Sequence, residues 1–257
     1  MNLEKDWRID AVSDPGDGVR VFDGEKLLEG ADIVVVDPIR LKSGKVLALP
    51  IPNATAMLLN SSFRTFKEAE SLLNQEELRN ANQEFVQFRS SSDAINCIEL
   101  LVTSVVSAYS AIESFANEWI PEWYLYKKAD KKASAIRELS KEEMERELQL
   151  GLKLHQVLPP NFRCLSPKGT KVWEQYIDLE RVRNRLVHLK TDDRQSRDLD
   201  EDTIWKSLAG IAPPYRTAKL LVDHYFAGIA HVPGLSYDEL RPVRPRWHVK
   251  CPTELGK

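Results

Sequence analysis

The sequence predicts a mainly α protein: a helical bundle of about five helices, preceded by a small β-rich N-terminal arm. Three observations carry this. Turn residues crowd the first 53 positions, apolar residues recur at helical spacing from Ala54 to about residue 230, and prolines recur through residues 231–257. The expected divisions are therefore 1–53 for the arm, 54–230 for the bundle and 231–257 for an extended tail.

In the arm, Pro15, Gly16, Gly18, Gly24, Gly30, Pro38, Gly44, Pro50 and Pro52 punctuate short β-branched runs at Val19–Phe22, Ile33–Val36 and Val46–Leu49. The run IVVVDPIRLKSGKVLAL reads as a hairpin around Ser43-Gly44, with Pro38 at a bulge or strand end. So short an arm has little core of its own and is expected to pack on the helical bundle.

The helices are taken in chain order. The first spans Ala54 to Leu73, with a possible break near Asn60–Ser62. The second runs from Asp93, a good N-cap, to Ile120, with Pro121 as its stop. The third opens on a capping box, Ser140 with Glu143, and ends near Val157, before Pro159-Pro160. A fourth covers Lys168 to Leu189. A fifth covers Asp202 to Ala230 and is interrupted at Pro213-Pro214.

The charge balance over 257 residues, 36 Lys+Arg against 39 Asp+Glu, excludes a strongly basic nucleic-acid coat and a polyacidic tail. The start, MNLEKDWRID, is polar and unlike a secretory signal. The longest uncharged apolar stretch, Leu100 to Ile112, has 13 residues, short of the ~20 that cross a bilayer. Cys97, Cys164 and Cys251 are odd in number and form no C-x-x-C pair. A cytoplasmic protein with no membrane partner is the expectation.

Two helices carry polar residues where a core should be. On the fourth, Val172, Tyr176, Leu179, Leu186 and Val187 share one stripe, and Arg183 falls in its middle. Asn184 and His188 lie on its flank, four apart, with Glu180 four before Asn184. On the second helix, Glu113 sits within the stripe of Ile98, Val102, Val105, Val106, Tyr109, Ile112, Ala116 and Ile120. A buried carboxylate and a buried guanidinium each want a partner, so Glu113 is expected to face Arg183 across the bundle. Such a pair serves architecture as readily as chemistry.

The run Leu179-Glu180-Arg181-Val182-Arg183-Asn184-Arg185-Leu186-Val187-His188 resembles the R-x(4–6)-H signature of HEPN domains, in which a polar residue, often Asn, follows the Arg. The preceding SAYSAIESFANEWI, residues 107–120, is similar to the helix that brings an acidic residue beside that motif. The resemblance covers about residues 93–230 and leaves out the arm and the tail. It implies an all-helical bundle of four or five helices. It also implies a metal-independent endoribonuclease whose site forms where two subunits' motif helices meet, hence a homodimer. Family members commonly act as toxins or in phage defence, so an antitoxin or other regulatory protein is a further expected partner beside RNA.

The residue types suit that reaction. An imidazole such as His188 takes or gives a proton near neutral pH. Arg183 holds non-bridging phosphate oxygens, Asn184 bonds the phosphate or fixes the imidazole, and Glu113 orients Arg183. Arg183 and His188 are five apart, about 140° on the helical wheel, so one copy converges on one phosphate only through a sideways reach or a partner subunit.

No cofactor motif is present: there is neither a G-x-x-x-x-G-K-[ST] loop nor a G-x-G-x-x-G turn. His155, His188, His224, His231 and His248 form no H-x-x-x-H arrangement, so no metal is expected. Additional RNA contacts are sought at Arg181, Arg185 and Lys190, at Lys127, Lys128, Lys131 and Lys132, and along the tail at Arg241, Arg244, Arg246, His248 and Lys250, with Trp247 as a stacking ring. Against these stands a solvated basic edge and a tail strapped to the bundle. The alternative function is a non-catalytic HEPN-like module binding RNA, a nucleotide or a protein. The two separate on His188, which must be open to solvent if it is catalytic.

Overall fold

Helices α1 (Ala54–Arg79) and α2 (Ser91–Glu118) form a long antiparallel pair at the heart of a computed structural model that describes residues 6–9, 11–13, 20–22, 25–27, 32–34, 36–79, 87–130, 135–191, 193, 203–229, 247–248 and 251–255. The fold is mainly helical with small two-stranded sheets. Small residues let the pair approach closely. The buried Ser104 hydroxyl donates to the Ser62 carbonyl at 2.9 Å and lies 3.0 Å from the Ser62 hydroxyl. This corrects the expected break near Asn60–Ser62: with Ser62 satisfied across the interface, α1 runs on unbroken to Arg79. The α1 start is capped by Asn53, whose Oδ1 accepts from the Ala56 N–H at 3.0 Å. Asn53 and Thr55 also donate to the Glu118 carboxylate, tying the head of α1 to the foot of α2.

The cap of α2 is Ser90 and not Asp93; its side chain accepts from the Asp93 N–H at 3.1 Å. Asp93 instead places a negative charge in the first turn. By length and composition α2 is apolar enough to cross a membrane, although no uncharged run in it reaches that length. In this structure its buried face, Leu101, Val105, Ala108, Ile112 and Phe115 among others, packs against α1 and the later helices.

The segment after α2 departs from expectation. Strands β7 (Tyr126–Asp130) and β8 (Ala135–Leu139) form an antiparallel hairpin where no strand was expected. The capping box is present at α3 (Lys141–Glu147), but the helix stops at Leu148, whose ψ of 134° is extended. The chain restarts as α4 (Leu150–Leu152), widens into a π-helical turn over Lys153–Val157, and ends as α5 (Leu158–Phe162). Pro159 and Pro160 therefore lie inside helical structure. They occupy the first turn of α5, where a missing N–H costs least.

Helix α6 (Lys171–Val187) carries the motif, opening on a Thr170 cap. Helices α7 (Ile204–Ala209) and α8 (Pro214–Ile229) are separated by an interruption that ends at Pro213, near where it is expected, with Pro214 opening α8. Phe115, Phe162, Tyr225 and Phe226 close one end of the core, with ring centroids 5.3–5.9 Å apart. The described part of the tail is not extended. Trp247 is buried, His248 packs 4.4 Å from the Phe226 ring, and a 3-10 turn spans Thr253–Leu255. Trp247 is thus a core residue, which overturns its assignment as a stacking ring for RNA.

In the arm, the described strands pair as β1 (Ala11–Ser13) with β4 (Asp32–Val34), β2 (Arg20–Phe22) with β3 (Glu25–Leu27), and β5 (Val36–Arg40) with β6 (Val46–Pro50), all antiparallel. The Ser43-Gly44 turn is where the sequence places it, and Gly44 has φ +82°, a conformation that favours glycine. Pro38 lies within β5, opposite Ala48, rather than at a bulge. A two-stranded ribbon leaves an outer edge where proline loses no ladder bond. The β5–β6 ribbon is largely exposed; the two ends of the arm pair with each other, the Asn53 N–H donating to the Arg8 carbonyl and Ile9 bridging Pro52, and Trp7 packs against the helical core.

Candidate functional site

Helix α6 buries Tyr176, Leu179 and Val182 and turns Ile177, Arg181, Asn184 and His188 to solvent. Val187, assigned to the buried stripe from its spacing, is 56% exposed, because the helix ends there and the stripe runs out of bundle. Arg183 lies between the two faces, half-buried. Its guanidinium carbon sits 4.7 Å from the centroid of the Tyr109 ring of α2, a cation–π contact. Its Nη1 donates to Asn184 Oδ1 at 2.9 Å.

The expected Glu113–Arg183 pair is not formed. Glu113 is exposed on α2, and no ion pair joins it to Arg183. The wheel placed Glu113 in the apolar stripe, but α2 is covered there only in part, and the position one turn earlier, Tyr109, reaches α6 instead. Glu113 remains close enough to raise the Tyr109 hydroxyl and the Lys153 amine electrostatically.

The carboxylate that does work in this cluster is Glu180. Its Oε1 accepts from the Tyr176 hydroxyl at 2.8 Å and the Tyr109 hydroxyl at 3.2 Å. Burial, with the charge of Glu180 next, pushes the Tyr109 hydroxyl up to about 12, so it stays a neutral donor. The Tyr176 hydroxyl moves the same way, from burial first. In the sequence Glu180 stands out only as a neighbour of Asn184. The signal that could have found it was the spacing Tyr176–Glu180–Arg183, one face over two turns.

His188 is the C-cap of α6, with its N–H on the Asn184 carbonyl at 3.1 Å. Its side chain is exposed, and among the described residues none hydrogen-bonds its ring. The chain just beyond it is held firmly. Asp193, buried, accepts from Arg185 Nη2 at 2.8 Å, from the Lys190 N–H at 3.0 Å and from the Ile204 N–H at 2.8 Å. Despite desolvation, these donors hold the Asp193 carboxyl below its usual range. Arg185, expected as an RNA contact, is therefore committed inside the fold, with only 17% of its side chain exposed. Arg181 is exposed and pairs with Asp178 at 3.0 Å.

The other candidates fall in varied places. Lys127 is exposed on β7 and lies 3.7 Å from Glu138, and Lys128 is half-buried on the same strand. Lys131, Lys132, His231, Arg241, Arg244, Arg246 and Lys250 lie outside the described residues. His155 Nδ1 lies 2.5 Å from the Gly151 carbonyl, His224 Nε2 2.9 Å from the Leu165 carbonyl, and His248 Nε2 2.6 Å from Asp223. Among the described residues no three His, Cys, Asp or Glu side chains gather as metal ligands. Cavities of about 220 and 230 Å³ open on the other side of α6, toward α7, lined by Arg181, Val182 and Ser207 among others. Neither touches Arg183, Asn184 or His188. Asn184 and His188 lie exposed at the end of α6, with Arg183 half-buried beside them.

Comparison with protein-family models, curated proteins and solved structures finds no match for this chain.

Proposed function

We propose that this chain is a HEPN-like, metal-independent endoribonuclease acting as a homodimer. The observation that carries the reading is the C-terminal end of α6. There a guanidinium held on an aromatic face, the Asn184 amide and an exposed imidazole emerge within two helical turns. Apart from its Asn184 bond, no hydrogen bond or ion pair of the Arg183 guanidinium occurs among the described residues, which leaves its remaining N–H groups to meet phosphate oxygens.

The chemistry is then transesterification. An imidazole accepts the proton of a ribose 2′-hydroxyl, whose oxygen attacks the adjacent phosphorus. The bond to the 5′-oxygen breaks with its electron pair, and that oxygen takes up a proton. The products are a 2′,3′-cyclic phosphate and a 5′-hydroxyl. Arg183 offsets the charge that builds on the non-bridging oxygens. DNA, without a 2′-hydroxyl, resists. Because Arg183 points to Tyr109 and His188 to solvent, the two diverge on one helix, and a two-fold related copy brings complementary groups to one phosphate. Exposed Ile177, Val187 and Leu189 beside the motif offer that copy an apolar contact. A role in toxin or phage-defence responses and a regulatory protein partner rest on the resemblance alone, and a cytoplasmic setting on the few unpaired cysteines.

The test is His188→Ala. Cleavage of single-stranded RNA falls by at least ~100-fold while the circular dichroism spectrum is unchanged, and EDTA leaves the parent rate intact. Parent-like cleavage by the variant, or loss of activity in EDTA, overturns the assignment. Binding of RNA by a parent that makes no cyclic-phosphate ends favours the non-catalytic module.

A further inference from the structure

Three polar side chains that the nuclease chemistry does not itself require form a linked set beginning at the ring under Arg183. Tyr109 offers its ring to the guanidinium at 4.7 Å. Glu180, three residues before Arg183 and within easy reach of it on the helix, forms no ion pair with it; its Oε1 takes the hydroxyls of Tyr109 and Tyr176 instead. Tyr176 is fully buried and Tyr109 nearly so, at 8% exposed. A guanidinium three residues from a carboxylate would ordinarily close onto it. Here both phenols draw the carboxylate to themselves through its Oε1, and the ring face receives the cation.

We propose that Tyr109 is a positioning residue for Arg183, acting through its ring, with Glu180 and Tyr176 pinning that ring in place. This rests on the nuclease reading for its purpose, though not for its geometry. The arrangement gives Arg183 a fixed direction without a counter-anion. A guanidinium neutralised by Glu180 would lose much of its attraction for phosphate. One stacked on a neutral ring keeps its full charge and its free N–H edge. The Tyr109 hydroxyl titrates well above neutrality, so the pin stays protonated across the range in which RNA cleavage would be measured.

The experiment uses the full chain with ¹⁵N-arginine labelling, and the variants Tyr109→Phe, Tyr109→Leu, Arg183→Ala and the double variant Tyr109→Leu/Arg183→Ala. In the parent the Arg183 side-chain protons are shifted upfield by the ring; in Tyr109→Phe, which keeps the ring and loses its hydroxyl pin, the shift is present but smaller. In Tyr109→Leu that shift vanishes while the backbone amide spectrum stays dispersed. In cleavage assays Tyr109→Leu lowers kcat by roughly tenfold or more with little change in KM, because the interaction lost is one made to developing charge. In the Arg183→Ala background the same Tyr109→Leu change has no further effect. An equal fold-loss in both backgrounds, or an Arg183 with no upfield shift in the parent, overturns the proposal. A parent that cleaves no RNA defeats the nuclease reading instead, and the spectra still decide whether the ring holds the guanidinium.

Discussion

Asp193 shows how much of the motif's support lies outside the motif. It is a buried carboxylate whose oxygens are filled by Arg185, the Lys190 N–H and the Ile204 N–H. One side chain thus ties the segment just past His188 to the head of α7. Its folded value is depressed, so its stabilising effect is complete above the ordinary aspartate range near ~3.9 and is lost as pH falls through the lower folded value. Asp193→Asn keeps the shape and loses the charge. The expected outcome at pH 7 is a melting temperature lower by roughly 5 °C, with faster hydrogen exchange at Lys190 and Ile204. The gap between parent and variant narrows as pH falls below about 3.9, and a gap that widens there contradicts the account. In the sequence Asp193 is one acid in a polar loop, and Arg185 is one cation in a basic run. Their union depends on the return of the chain to α7, which no local pattern encodes. The placement of Arg183 and Asn184 on one helix was legible from its period, and His188 falls at that helix's C-cap. Glu113 was misplaced because a helical wheel assigns a face without saying how far the neighbouring helices extend over it.

At the scale of elements, the helices whose ends are marked by caps or prolines were readable: α2 before Pro121, α3 at its Ser140–Glu143 box and α8 at Pro214. The β7–β8 hairpin was not. Its strands, YKKAD and AIREL, are built largely from residues that favour helices. Their strand conformation is tertiary in origin, with Leu139 buried and Tyr126 half-buried on the inner face. The π-helical turn was equally hidden, and it delivers Lys153 into the interior. The Lys153 amine donates to Asn117 Oδ1 at 2.8 Å and to the Glu145 carbonyl at 2.9 Å. Burial holds it below the ordinary lysine range, opposed in part by the charges of Glu113 and Glu145. Between that lowered value and about 10.4 the unfolded chain binds more protons than the folded one, so stability attributable to Lys153 rises with pH across this window. Lys153→Met removes the amine and keeps most of the length. Urea midpoints of parent and variant between pH 7 and pH 10 are expected to change their difference in the parent's favour as pH rises. A difference that is flat, or that moves the other way, excludes a charged, desolvated amine at this position.

For the whole molecule, the proposed nuclease reading requires a guanidinium and an imidazole on diverging sides of the end of α6 to address one phosphate. A cis site would need Arg183 to leave the Tyr109 ring and swing round the helix. A trans site needs no such movement. It sets the Arg183 of each subunit against the His188 of the other across a two-fold axis, with exposed Ile177, Val187 and Leu189 at the contact. The two arrangements differ in a mixing experiment. Arg183→Ala and His188→Ala homodimers each lack one group in both composite sites and cleave only at a low residual rate. Unfolding and refolding an equal mixture makes about half the dimers hybrid. In a trans arrangement each hybrid has one of its two sites intact, since one subunit keeps Arg183 and the other keeps His188. The mixture then regains about a quarter of the parent rate. In a cis arrangement every site in the hybrid still lacks one of its groups, and activity stays at the level of the separate variants. The same samples, run on a sizing column at the assay concentration, report whether dimers form at all. A monomeric parent that cleaves RNA would place both groups on one chain and require the Arg183–Tyr109 contact to open during turnover.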